Sequence, residues 1–254
     1  MNIQIIWAVY FFGVGACVGS FLNVVIYRLP KKESLIRPGS HCPACNSPIK
    51  WYHNIPIAGY LALGGKCADC GEKFSPRYAA VEAITGLLFA ACYAAFGLTA
   101  TAAVYMVFVS ALVAVVFIDI DHFIIPDAIT LPGIPIGLLC AWLFLPLSIS
   151  DALIGVLVGG GILFVIAVIA PQGMGGGDIK LLGMVGAFLG WKSALITIFL
   201  GSLVGSVGGI IGMIALGKGR KAKIPFGPYL AVGALLAMFF EREIIDFYIR
   251  IAMP

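Results

Sequence analysis

The sequence predicts an all-α polytopic membrane protein with about eight transmembrane helices and a small zinc-ribbon-like cytosolic loop domain. Hydrophobic residues make up 61% of the chain and charged residues only 11%, with 32 Gly among 254 residues, which excludes an ordinary soluble domain. The apolar runs are continuous rather than alternating, which excludes a β-barrel. One long stretch, residues 28–78, breaks the pattern with four cysteines and a concentration of basic residues.

The expected organisation is a first transmembrane helix over 1–27, a zinc-binding loop domain over 28–78 and a membrane domain over 79–254. The candidate spans are 5–27, 79–97, 100–118, 128–146, 150–170, 179–191, 194–216 and 226–240, most of them near the 17–25 apolar residues that cross a bilayer. The first has no basic segment before it, and its charge follows at Arg28, Lys31 and Lys32, so it reads as an anchor rather than a signal peptide. Glycines at four-residue spacing (Gly15 with Gly19; Gly201, Gly205 and Gly209; Gly208 with Gly212) read as helix-packing positions, where small residues let backbones approach.

Orientation follows from the basic residues. Eight spans place all of the 16 Lys and Arg on one side except Lys192, Arg242 and Arg250. That side, carrying loop 28–78, loop 217–225 and Lys180, is expected to be cytosolic, with both termini outside. The same topology brings Asp119 and Asp178 out on one face, because two spans separate them.

Loop 28–78 holds Cys42-Pro-Ala-Cys45 and Cys67-Ala-Asp-Cys70. Two such knuckles offer four thiolates to one tetrahedral zinc and leave no open catalytic position, so the metal is expected to be structural. A reducing cytosol disfavours disulfides there, and a loop this short needs a staple. Pro43 and Gly71 suit tight turns beside the ligands. The positive-inside rule accounts for the loop's charge, and no nucleic-acid partner is expected. Cys17, Cys92 and Cys140 lie in apolar spans as small hydrophobes.

Asp119 and Asp178 carry the chemistry. Carboxylates at the edge of a bilayer are costly and mark functional sites. Two of them sharing a water can hydrolyse a peptide bond, one ionised as base and the other neutral as acid. Gly175 and Gly177, in the run before Asp178, give backbone freedom and allow a substrate chain to approach the acid closely. Asp178 occupies the place of the last glycine in a dinucleotide fingerprint, so the run is not one. Lys180, two residues on, cannot face Asp178 on a helix and reads as a flank anchor. Asp121 and Asp127 compete with Asp119 for its role, and Glu82 is a candidate to orient a site residue. An alternative reading is a proton-coupled transporter that uses the two aspartates as a relay; a third is a zinc-dependent scaffold with the aspartates as helix caps.

Taken in order, Gly19-Ser-Phe-Leu-Asn-Val-Val-Ile-Tyr-Arg-Leu-Pro30, the paired knuckles, Asn54-Ile-Pro56, Arg77-Tyr-Ala-Ala-Val-Glu82, Ile118-Asp-Ile-Asp-His-Phe-Ile-Ile-Pro-Asp127, Gly175-Gly-Gly-Asp178-Ile-Lys180 and Pro225-Phe-Gly-Pro-Tyr229 resemble the prepilin peptidases, or type IV leader peptidases, of the GxGD membrane aspartic proteases. The resemblance covers nearly the whole chain. It implies catalysis by Asp119 and Asp178, a bacterial inner-membrane location, and substrates that are type IV prepilins or type II secretion pseudopilins. It also implies a second activity, N-methylation of the new amino terminus with S-adenosylmethionine, for which the sequence points to no binding residues.

Overall fold

The computed structural model describes residues 3–170, 175–215 and 225–252, and among them it is all-helical. Its long helices are α1 (Ile3–Arg28), α3 (Arg77–Phe96), α4 (Ala100–His122), α5 (Asp127–Leu143), α6 (Ile149–Ile169), α7 (Gly176–Ala215) and α8 (Gly227–Ala252), with a short α2 (Ala58–Ala62) inside the loop segment. All eight predicted spans fall on helix. The sixth and seventh are the two helical halves of α7, separated as expected by a kink, which falls at Gly190, whose φ of 82° and ψ of 177° only glycine adopts readily. The eighth continues past its predicted end, with a second interruption at Phe240. Helices α1, α3, α4, α6 and α7 are long and apolar enough to cross a bilayer, and the protein is a multi-pass membrane protein.

The chain divides into two compact units, residues 1–114 and 115–254, with α4 running through the boundary. In the first unit α1 packs on α3 through glycine. A Cβ at Gly15 would stand 2.7 Å from the Thr85 carbonyl oxygen, and one at Gly19 would stand 2.7 Å from Glu82 Cα. Phe11 stacks on Tyr93 with ring centroids 5.2 Å apart, adding aromatic contact beside the glycine seam.

The second unit uses the same device. On α6, a Cβ at Gly159 would lie 2.7 Å from the Leu182 carbonyl oxygen of α7, and Gly155 meets Gly186 backbone to backbone. Gly201, Gly205 and Gly208 of α7 face Tyr229 and Leu230 of α8, so the predicted small-residue spacing seats large side chains of the neighbouring helix. Helix α5 tolerates Pro132 and Pro135 in its interior and lies against Met184, Ala187 and Phe188 through Gly133 and Gly137. Loop 217–225 and Gly173 lie largely or wholly outside the described residues.

Alternation of the helices sets which residues share an end of this unit. The end of α4 and the starts of α5, α7 and α8 come together on one side. On the opposite side Ser193, just past the Gly190 interruption, donates a hydrogen bond to Glu241 at 2.5 Å.

Candidate active site

Asp119 sits in the last turn of α4. Phe123, at φ 56°, leaves the helical path just after it, and Pro126 holds the chain extended before α5 begins at Asp127. Asp178 sits in the first turn of α7, directly after the glycines. Both carboxylates are buried, at 5% and 7% exposure. Burial to that degree is unusual for an acidic side chain with no cationic partner, and no ion pair to either is found among the described residues.

Each carboxylate is held by one backbone N–H. Gly227, the first residue of α8, donates to Asp119 Oδ2 at 2.9 Å, and Gly175 donates to Asp178 Oδ2 at 3.2 Å. The Asp178 N–H returns a bond to the Gly175 carbonyl at 3.2 Å, closing a tight turn over residues 175–178. The Oδ1 atoms of both have no protein hydrogen-bond partner among the described residues. The charge of Asp119 acts on Asp178, so the two carboxyls lie within coulombic reach.

Ile125 ties the three helix ends together. A Cβ at Gly177 would stand 2.8 Å from Ile125 Cβ, and one at Gly227 would stand 3.2 Å from Ile125 Cδ1. Gly177 therefore lets the first turn of α7 close onto the segment after α4, which brings its aspartate toward Asp119. Gly175 supplies its N–H to the carboxylate, and a Cβ there would be 3.3 Å from Asp178 Oδ2.

The competing acids separate cleanly. Asp127 forms an ion pair with Lys180 at 2.7 Å on the protein surface, which also places Lys180 away from Asp178. Asp121 is exposed. Glu82 is buried in the first unit, where its carboxylate accepts from the Ile57 N–H at 2.7 Å. The residue that sequence reasoning passed over is Gly227. It was visible only as the centre of Pro225-Phe-Gly-Pro-Tyr229, and nothing in that motif says that its N–H reaches a side chain in another helix.

In the first unit the sulfurs of Cys42, Cys45, Cys67 and Cys70 all lie within 4.8 Å of one another. Sγ of Cys42 and Cys70 are 3.8 Å apart, and those of Cys45 and Cys67 are 3.9 Å apart. Bonds of about 2.3 Å from a tetrahedral metal to sulfur require sulfurs separated by about 3.8 Å, so the donor set fits a zinc-sized ion without rearrangement. The two knuckles repeat one construction. Cys42 N–H bonds the Ser47 carbonyl and Asn46 N–H returns to the Cys42 carbonyl, while Cys67 N–H bonds Glu72 and Gly71 N–H returns to Cys67. Asn46 and Gly71, the residues after the second cysteine of each pair, both take positive φ (57° and 73°), which asparagine and glycine tolerate best.

Hydrogen bonds from the Ser47 side chain and backbone draw the Cys45 thiol down to about 6. The Glu72 backbone favours the Cys70 thiolate, but desolvation and the neighbouring thiols push that group up to about 12. Four sulfurs this close do not all ionise without a cation to hold them. His41 is turned to the Gly39 carbonyl at 2.9 Å and stands outside the cluster.

The Bacterial Peptidase A24 N-terminal domain matches residues 14–96, and the Type IV leader peptidase family matches residues 106–210. A prepilin leader peptidase/N-methyltransferase of Myxococcus xanthus is 42% identical over 218 residues, covering 84% of this chain and 65% of the relative. Relatives with the same name from Pseudomonas aeruginosa and Xanthomonas campestris are 37% and 35% identical, and in each the match covers 94% of this chain. These matches extend over 92% and 93% of the relatives' own lengths. No solved structure matches the chain.

Proposed function

The chain belongs to the type IV leader peptidase family, and from that premise we propose that Asp119 and Asp178 are the catalytic pair of a membrane-embedded aspartic endopeptidase. Its substrates are the leader peptides of type IV prepilins or type II secretion pseudopilins, cut on the cytosolic face of the bacterial inner membrane. The observation that carries this reading is that two buried carboxylates, at the end of α4 and the start of α7, each have one oxygen fixed by a glycine N–H and the other without a protein partner among the described residues.

That arrangement suits a shared water. An ionised carboxylate takes the water's proton as oxygen attacks the scissile carbonyl, while the neutral partner donates its proton to the carbonyl oxygen. Like charges in a poorly solvated site do not both ionise, so the pair holds one proton between them and titrates as a unit. Collapse then expels the amine, which leaves with a proton returned from the carboxyl that had accepted one. The backbone N–H groups of Gly227 and Gly175 keep each carboxylate oriented through both proton transfers.

Residues 28–78 form the cytosolic zinc-binding loop domain in this reading, and 79–254 the peptidase membrane domain. Cys42, Cys45, Cys67 and Cys70 would hold a structural zinc, which supplies a fixed tetrahedral crosslink and no open coordination position. The relatives' names add N-methylation, and we extend it to this chain with S-adenosylmethionine as donor. The test is leader cleavage by Asp119→Asn and Asp178→Asn, with methylation followed separately on pre-cleaved substrate. Each variant is expected to lose at least about 1,000-fold in cleavage and to keep methylation. Retained cleavage in either removes that residue from the mechanism.

A further inference from the structure

Helix α8 packs closely in its first half and is exposed in its second. Up to the break at Phe240, Leu230, Ala231, Ala234 and Ala237 are buried, and a Cβ at Gly233 would stand 2.6 Å from the Thr197 carbonyl oxygen of α7. Just past the break, Glu241 accepts the Ser193 hydroxyl at 2.5 Å. The chain then stays helical to Ala252, so residues 241–252 extend about 18 Å at a rise of about 1.5 Å per residue. In that extension Phe247, Tyr248 and Ile251 are 67%, 70% and 64% exposed.

Successive residues of a helix are turned by about 100°, which places Arg242, Glu243, Asp246 and Arg250 within one arc of about 100°. Ile244, Phe247, Tyr248 and Ile251 fall within a second arc, centred about 140° from the first. Glu241 lies beside the apolar arc, and its carboxylate is the one held by Ser193. The charges in residues 241–250 are too many for a membrane span, and the exposed rings and isoleucines too many for a helix surrounded by water. A helix lying along the boundary between headgroups and acyl chains satisfies both faces.

Lipid is the occupant that the apolar arc fits. The protein is a multi-pass membrane protein, and the arc continues from Phe240, itself 50% exposed at the end of the packed half. The polar arc holds two arginines, one glutamate and one aspartate, so it is neutral and gains little from anionic headgroups. We propose that residues 241–252 form an interfacial helix in the bilayer surface on the side opposite Asp119 and Asp178. Ile244, Phe247, Tyr248 and Ile251 enter the acyl boundary, and Arg242, Asp246 and Arg250 face water. The kink at Phe240 redirects the chain out of the packed half, and the Ser193–Glu241 bond fixes the corner. This anchor depends on the membrane character of the protein and not on its peptidase chemistry.

The experiment uses the full-length protein in phosphatidylcholine vesicles and in vesicles with phosphatidylglycerol added. The unsubstituted protein is photolabelled with a phospholipid carrying an aryl diazirine in its acyl chain near the headgroup, and the adducts are mapped by mass spectrometry. Label is expected on Phe247, Tyr248 or Ile251, with yields in the two vesicle types within about twofold, and this arm needs no variant to fold. In the second arm, Tyr248→p-benzoylphenylalanine is expected to give at least about fivefold more lipid adduct than Asp246→p-benzoylphenylalanine. Absence of label from residues 241–252, equal lipid adduct at the two positions, or labelling that requires phosphatidylglycerol would each overturn the proposal. Crosslinking from position 248 to protein instead of lipid would do the same, and would show that a second chain covers this face.

Discussion

The N–H of Gly227 lies 2.9 Å from Asp119 Oδ2, and a Cβ on the same glycine would stand 2.7 Å from that oxygen. One residue thus sets the position of the carboxylate twice, by the bond it donates and by the side chain it lacks. The two positions are 108 residues apart in sequence, so the contact exists only once α8 has docked beside the end of α4. Assembly of the second unit and orientation of the aspartate are therefore one event.

Gly227→Ala is expected to lower leader cleavage by about a hundredfold, because a displacement near 1 Å at a reacting group costs that much. The obstructed atom is the far end of a side chain, so Asp119 yields rather than the helix, and zinc content and thermal unfolding should stay close to those of the unsubstituted protein. Steady-state cleavage of a synthetic leader, read beside the melting curve, separates the outcomes. A variant that melts early shows that the glycine serves packing, and one that cleaves normally shows that the Asp119 orientation is not needed.

Much of this arrangement was legible in the sequence, because it rests on patterns of period and composition. The eight apolar segments, the shared end for Asp119 and Asp178, the four-cysteine cluster and the packing roles of Gly15, Gly19, Gly201 and Gly205 all follow from local residues. The break at Gly190 falls beside the expected gap between spans 179–191 and 194–216, but which residue makes it was not legible, since a glycine within an apolar run looks the same whether it packs or ends a helix. Nor was the engagement of Glu82, whose partner is a backbone N–H turned toward it by the positive φ of Ile57, a conformation rare for a β-branched residue. Contacts that depend on one backbone amide meeting one distant side chain leave no periodic trace.

Removing the metal tests the thiol cluster. Cys67→Ser is expected to bring bound zinc below about half an equivalent, since three thiolates do not close a structural tetrahedral site. The loop around Trp51, which is 81% exposed, should then be cut by a protease that spares the membrane helices. Zinc content by elemental analysis and the fragment pattern on a gel report the two effects. Full zinc in the serine variant would show that these sulfurs are not the ligands.

Gly13 and Gly19 lie on the same helix and differ in what a methyl group would meet. Nothing stands within 4 Å of a Cβ at Gly13, whereas one at Gly19 runs into the α3 backbone at Glu82 Cα, 2.7 Å away. Backbone cannot step aside as a side-chain tip can. Gly19→Ala is expected to destabilise the first unit by about 1–3 kcal/mol, the usual penalty of overpacking. Gly13→Ala should fall within about 0.5 kcal/mol of the unsubstituted protein. Thermal unfolding of the two variants in the same detergent compares them directly, and equal melting temperatures would contradict the α1–α3 seam.

Lys180 stands two residues from Asp178 in sequence, yet its ammonium lies 2.7 Å from Asp127 Oδ1 and 2.8 Å from Oδ2. The side chains are 37% and 54% exposed, so water screens the pair and its contribution stays below about 1 kcal/mol. A lysine near the start of α7 also opposes the helix dipole, which offsets part of even that gain. Lys180→Gln is accordingly expected to shift unfolding by less than about 1 kcal/mol and to leave leader cleavage within about threefold, since the lost charge faces Asp127 and not the carboxylate pair. A tenfold loss of cleavage with unchanged stability would instead place Lys180 in the active site during turnover, and Lys180→Arg would then show whether charge alone restores it.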